Sequence, residues 1–125
     1  MKTLRIGIAS PADMKSRTLA VARGELTLGP DEPKLWFASI ESLARVLSDK
    51  NRLLLDLIIE QQPNSLAELE ALSGRAKSNL SRTLKTMAGY GLVRLERGER
   101  GRITPTVTHD RVELELPLAR PRKAG

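Results

Sequence analysis

The chain has 125 residues, a formal net charge of +6, and a composition of 40% hydrophobic and 29% charged residues, which fits one globular domain with an appended arm. It holds no cysteine and one histidine, His109, which excludes disulfides, thiolate metal sites and a cysteine nucleophile, and leaves too few ligands for a zinc site. No apolar run approaches the roughly 20 residues of a membrane span, and the opening MKTLRIGIAS carries no secretory apolar core. The expectation is a cytoplasmic protein with no cofactor, no metal and no membrane partner.

Residues 3–8 alternate, with Leu4, Ile6 and Ile8 on one side, and predict a strand with one buried face. Pro11 opens a helix through Arg23, which Gly24 closes. Gly29-Pro30 and Glu32-Pro33 make 25–34 a loop, and Lys34 to Phe37 is read as extended. Ser39 caps a helix to Leu47 in which Ile40, Leu43, Ala44 and Leu47 share a face. Ser48 caps the next, Asp49 to Gln61, which Pro63 ends.

Ser65-Leu66-Ala67-Glu68 is a capping box in which the Ser65 hydroxyl meets the Glu68 amide and the Glu68 carboxylate reaches back. It starts a short helix with Leu66, Leu69 and Leu72 inward, broken at Gly74. A second helix runs over 76–88. The spacing fits a helix-turn-helix and an ordinary antiparallel helix pair equally. Leu92 to Glu96 and Arg102 to Val107 then read as two strands joined by the Gly-punctuated turn Arg97-Gly98-Glu99-Arg100-Gly101, with Pro105 marking an exposed edge. Val112, Leu114 and Leu116 alternate with Glu113 and Glu115 in a third strand, 111–116, with His109 in the turn before it. Beyond Pro117 the basic end Arg120-Pro121-Arg122-Lys123 reads as a fraying tail. The division is a strand-helix-loop extension over 1–38, a domain over 39–116 and a flexible basic tail over 117–125.

The charge is concentrated. Between Arg75 and Arg102 stand eight basic residues and two acids, Glu96 and Glu99, leaving thirteen of each sign elsewhere. On a helical wheel Ala76, Leu84 and Met87 fall within about 40° of Leu80 and form an inward stripe. Ser78, Arg82 and Lys85 fall opposite, with Lys77, Asn79, Ser81 and Thr86 on the flanks, and no acid occurs over 76–88. Such a face suits a nucleic-acid duplex: arginine and asparagine bond base edges, while serine and lysine bond phosphate. The alternative is a solubilising basic surface. Arg97, Arg100 and Arg102 on the hairpin would reach the neighbouring backbone, unless Glu96 and Glu99 pair with them.

Ala76-Lys77-Ser78-Asn79-Leu80-Ser81-Arg82-Thr83-Leu84-Lys85, followed by Gly89-Tyr90-Gly91-Leu92-Val93, resembles the recognition helix and wing entry of MarR-like winged-helix regulators. The longer pattern from Trp36-Phe37 through Leu47-Ser48 and Asn51-Arg52 to Gly74-Arg75-Ala76 is similar to small predicted prokaryotic transcriptional regulators, some encoded beside a toxin. The fold class expected is therefore α+β, mainly helical: a winged helix-turn-helix with a β-hairpin wing and an N-terminal strand-helix extension. The resemblance implies binding of double-stranded DNA at Ser78, Asn79, Ser81, Arg82 and Lys85, to which charge and position add Arg75, Lys77, Arg97, Arg100 and Arg102. The chain shows no pair of long terminal helices of the kind through which MarR proteins dimerise.

Two roles compete. One is a sequence-specific transcriptional regulator acting as a homodimer, with 76–88 in the major groove and the wing 92–107 on the backbone. The other is an antitoxin that covers a cognate toxin and autoregulates its promoter. The apolar faces of strands 3–8 and 111–116, or the 11–23 helix, would form the dimer surface, unless the two strands pair within one chain. No enzyme is expected, because His109 and Asp110 are adjacent in an extended segment and point opposite ways.

Overall fold

The computed structural model describes residues 2–29 and 32–119, which form an α+β chain of five α-helices and five strands. They gather into two compact units. One is built on Ala44–Arg111, with Lys2 and Thr3; the other takes Leu4–Leu43 and the segment from Val112.

In the second unit, strand β1 (Lys2–Ile8) is the middle of a three-stranded sheet. Strand β2 (Leu35–Phe37) runs parallel to it in the register Ile6↔Leu35, Gly7↔Trp36 and Ile8↔Phe37. Strand β5 (His109–Glu115) lies on its other side. The alternation of β1 buries Leu4 and Ile6 and half-buries Ile8, and Phe37 joins them inside. Gly7 lies under the Trp36 ring: a Cβ there would stand 2.3 Å from Trp36 Cζ3, so only glycine lets the ring lie across β1. The outer face of that ring carries the Arg17 guanidinium, 5.0 Å from the centroid, which also pairs with Glu32. Arg17 comes from helix α1 (Pro11–Ala22), which begins where the Ser10 hydroxyl accepts the Asp13 amide at 3.1 Å and Pro11 takes the first turn. No side chain of α1 is buried.

Helix α2 (Ile40–Val46) starts at Ser39, whose hydroxyl accepts the Ser42 amide at 3.1 Å. Helix α3 (Asp49–Gln61) starts at Ser48 in the same way through Asn51, and stops at Gln62, held in the left-handed region before Pro63. Helix α4 (Leu66–Ser73) is capped by Ser65 and closed by Gly74 at φ +72. Helix α5 (Lys77–Gly89) follows, then strands β3 (Val93–Arg97) and β4 (Ile103–Val107), antiparallel with Val93↔Val107 and Arg97↔Ile103 at their ends. Leu54 and Ile58 of α3, Leu66 and Leu69 of α4, and Leu80, Leu84 and Met87 of α5 meet Leu92, Val93 and Val107 in one aliphatic core. β3 packs on α5, and β4 on α3 and α4. The Thr104 hydroxyl donates to the Asn64 carbonyl at 2.8 Å, tying β4 to the α3–α4 turn.

Several expectations need correction. Leu72 is exposed, because it lies about 90° from the midline of Leu66 and Leu69 on the wheel. Ala76 is exposed too: it precedes the first helical residue and serves as the N-cap. The Glu68 carboxylate reaches the Asn64 amide at 3.1 Å and not that of Ser65. Pro105 does sit on a free edge of the hairpin, but its ring is buried. His109 is the first residue of β5, not a turn residue, with Nδ1 2.8 Å from the Thr108 hydroxyl. Residues 112–115 complete β5, which pairs with β1. Val112, Leu114 and Leu116, whose alternation marks one side as apolar, are all exposed. The basic segment Arg120 to Lys123 lies outside the described residues.

Candidate nucleic-acid interface

The turn between α4 and α5 determines how α5 is presented. Gly74 donates its amide to the Glu70 carbonyl at 2.9 Å, and the Arg75 amide bonds the Ser73 hydroxyl at 3.1 Å. Ala76 has no side chain able to cap α5, and the Glu70 carboxylate takes that place, accepting the Lys77 amide at 2.8 Å. The helix N-terminus, whose partial positive charge favours an anion, is therefore already met by a carboxylate from α4. Nothing in the spacing of Glu70 and Lys77 marks this contact in the sequence.

Leu80, Leu84 and Met87 of α5 are completely buried. Lys77, Ser78, Asn79, Arg82 and Lys85 are exposed and Ser81 is half-buried, so the wheel's two faces are found with the expected residues except at Ala76. Among the described residues no carboxylate pairs with the side chains of Lys77, Arg82 or Lys85. The Thr86 hydroxyl turns back to the Arg82 carbonyl at 3.1 Å.

Arg75 stands apart from this group. Its side chain is half-buried, and its guanidinium donates to Asn79 Oδ1 at 2.8 Å, Asn51 Oδ1 at 3.2 Å and Thr83 Oγ1 at 3.1 Å. Asn51 in turn donates to the Val46 carbonyl at 3.0 Å. Asn79 and Thr83 are four apart and line one flank of α5, where Arg75, from the turn before the helix, meets them and Asn51 of α3. Arg75, expected at the duplex, is a tie between α3 and α5. It also engages one lone pair of the Asn79 side-chain oxygen, which leaves that amide its second lone pair and its nitrogen for any further contact.

On the hairpin, Arg97, Arg100 and Arg102 are exposed and none is paired with Glu96 or Glu99 among the described residues; Glu96 faces Arg94 at 3.8 Å instead. The turn reverses through Arg100 at φ 58 and Gly101 at φ 74. Arg100 is the strained member, since a side chain there costs energy that glycine avoids. The Gly98 amide closes the turn on the Arg102 carbonyl at 2.7 Å.

An α+β chain with a helix pair, a hairpin and an acid-free cationic helix face is thus what the coordinates define. The chain belongs to the family HVO_A0114, whose profile matches residues 46–114, more than half of its length. That family has no known function. No curated protein and no solved structure matches the chain.

Proposed function

We propose that the chain is a sequence-specific, double-stranded-DNA-binding transcriptional regulator of the MarR-like winged helix-turn-helix kind. In this reading α4 and α5 are the helix-turn-helix, α5 lies in the major groove, and the β3–β4 hairpin is a wing against the flanking backbone. The observation that carries it is the outward face of α5: Arg82 and Lys85 stand exposed opposite Leu80, Leu84 and Met87, with no carboxylate among the described residues to neutralise them. A solvated helix face ordinarily mixes acids with bases, because such pairs stabilise it. A face of lysine, arginine, serine and asparagine alone matches phosphate oxygens and base edges.

Arg82 is the base reader, with Ser78 and Ser81 beside it. Lys77 and Lys85 bind phosphate, as do Arg97, Arg100 and Arg102 from the wing. The test is a mobility-shift titration on the DNA upstream of the chain's own gene at several salt concentrations. Arg82→Ala should weaken binding to the cognate site by about 1–3 kcal/mol and relax its sequence preference. Lys85→Ala should weaken binding evenly across sequences and flatten the salt slope by about one unit. Equal binding by both variants and the parent would refute the assignment.

A further inference from the structure

We infer that a second copy of this chain docks on the outer edge of β5, antiparallel and in a register centred on Glu113, extending the sheet across a two-fold axis. The inference uses the DNA-binding reading only for the benefit of pairing two recognition helices; its own observations and its test involve no DNA.

The two units treat their apolar residues differently. Among the described residues, the unit built on Ala44–Arg111 buries eleven large hydrophobics and exposes two, Leu53 and Leu72. The other buries three, Leu4, Ile6 and Phe37, and exposes eight. A contiguous share of these lies on β5 and just beyond it: Val112 is 40% exposed, Leu114 45% and Leu116 39%. Apolar surface left open in this pattern marks an interaction site.

β5 is also the end strand of its sheet, ordered β2-β1-β5, so among the described residues the backbone groups on its outer side have no strand partner. Such an edge is a template for one more strand. No proline interrupts Val112–Glu115, and its two charges, Glu113 and Glu115, are both engaged by Arg5.

Charge selects both the occupant and the register. Arg111, Glu113 and Glu115 share one side of β5, and Val112 and Leu114 the other. Arg5 of β1 lies on the charged side, 3.0 Å from Glu113 and 3.8 Å from Glu115. Arg111 is exposed and has no carboxylate partner among the described residues. Opposite residues of an antiparallel pair share a side, so a two-fold axis normal to the sheet must pass midway between the two copies of one residue. Centred on Glu113, it sets Arg111 against Glu115 and Val112 against Leu114, each twice. The two central Glu113 carboxylates each retain their own Arg5. Centred on Leu114, the same strands would set Glu113 against Glu115 twice, four acids together. Centred on Val112, they would set Arg111 against Glu113, in competition with Arg5, and would place Asp110 against Leu114 on the apolar side. Within Arg111–Glu115 the register centred on Glu113 sets apolar residues only against apolar ones and Arg111 against a glutamate, the self-complementarity an isologous interface requires.

The test exploits a chain without cysteine. Single cysteines are placed at 111, 112, 113, 114 and 115 of the full chain, and oxidation is followed by non-reducing electrophoresis. Residues facing across the axis have Cα atoms about 4.5–5.5 Å apart, within disulfide reach. Glu113→Cys should cross-link fastest, and sedimentation should show a dimer for the parent. Leu114→Lys should raise the dimer dissociation constant roughly tenfold or more, while Leu118→Lys, outside the register, should leave it unchanged. Circular dichroism checks that both variants fold. Arg111→Glu should also weaken the dimer, and Arg111→Glu with Glu115→Arg should restore it. A monomeric parent, a dimer indifferent to Leu114→Lys, or a fastest cross-link at any other position would overturn the inference. So would a chain that dimerises only through α1 or forms a complex only with a different protein.

Discussion

Replacing Arg75 by alanine separates two roles that a sequence cannot distinguish. The guanidinium holds three acceptors, Asn51 on α3 and Asn79 and Thr83 on α5. A hydrogen bond to a charged group contributes about 1.5–3 kcal/mol, but these acceptors are half-buried or exposed and would regain water. The net loss of stability should therefore be near that of a single such bond, about 1–3 kcal/mol, and each kcal/mol should lower Tm by roughly 3–6 °C in a chain of this size. Arg75→Lys should lose nearly as much, because an ammonium group cannot present the planar fork that spans three partners. The assay pairs urea denaturation with DNA titrations at several salt concentrations, all well below the melting midpoint. A tie leaves the salt slope unchanged in both variants. A phosphate contact would instead lower the slope by about 0.9 in Arg75→Ala and leave stability alone, and that outcome would refute the bridging role.

Three further expectations follow from the same contacts. Leu84→Ala should cost about 2–5 kcal/mol of unfolding free energy, since Leu84 is fully buried between α5 and its neighbours; an unchanged denaturation midpoint would show the phase of α5 to be wrong. Glu70→Gln should tighten DNA binding and steepen its salt dependence, because it removes a negative charge from the N-terminus of α5 while keeping an acceptor for the Lys77 amide; weaker binding would contradict the placement of that helix end near phosphate. Gly7→Ala should push the ring of Trp36 off β1 and away from Arg17, destabilising the fold by about 1–3 kcal/mol. Trp36 is the chain's one tryptophan, so its emission should shift to the red, and an unaltered spectrum would refute the packing.

Local chemistry made most of the elements legible. Ser39, Ser48 and Ser65 each announce a helix, and each hydroxyl does accept the amide three residues on. The wheel of α5 separated Leu80, Leu84 and Met87 from Arg82 and Lys85 because a 13-residue helix offers enough turns to fix the phase. Where the reading failed, the deciding partner was distant or the element was short. Ala76 had the right phase but sits one residue before the helix begins. Leu72 is the seventh residue of an eight-residue helix whose stripe was defined by only two other leucines. Arg75 could be placed near the duplex by charge alone, whereas its role depends on Asn51, 24 residues earlier. Glu70 escaped notice because a carboxylate on one helix face carries no signal that the next helix lacks a cap.

The strand at the end of the sheet shows a different kind of gap. Alternation over Val112 to Leu116 says that one side is apolar; it does not say what covers that side. In β1 the same alternation leads to burial, with Leu4 at 7% and Ile6 at 0% exposure. In β5 it leads to solvent, although Arg5 and its two glutamates put the charged sides of both strands on one sheet face. The apolar sides must then share the other face, and what differs between the strands is position: β1 is flanked on both edges and β5 on one. A sequence pattern selected for burial in the functional assembly looks identical to one selected for burial within a chain. Only the count of strands around it separates the two cases, and in the inferred pairing of two copies the charges of Arg111, Glu113 and Glu115 set the register.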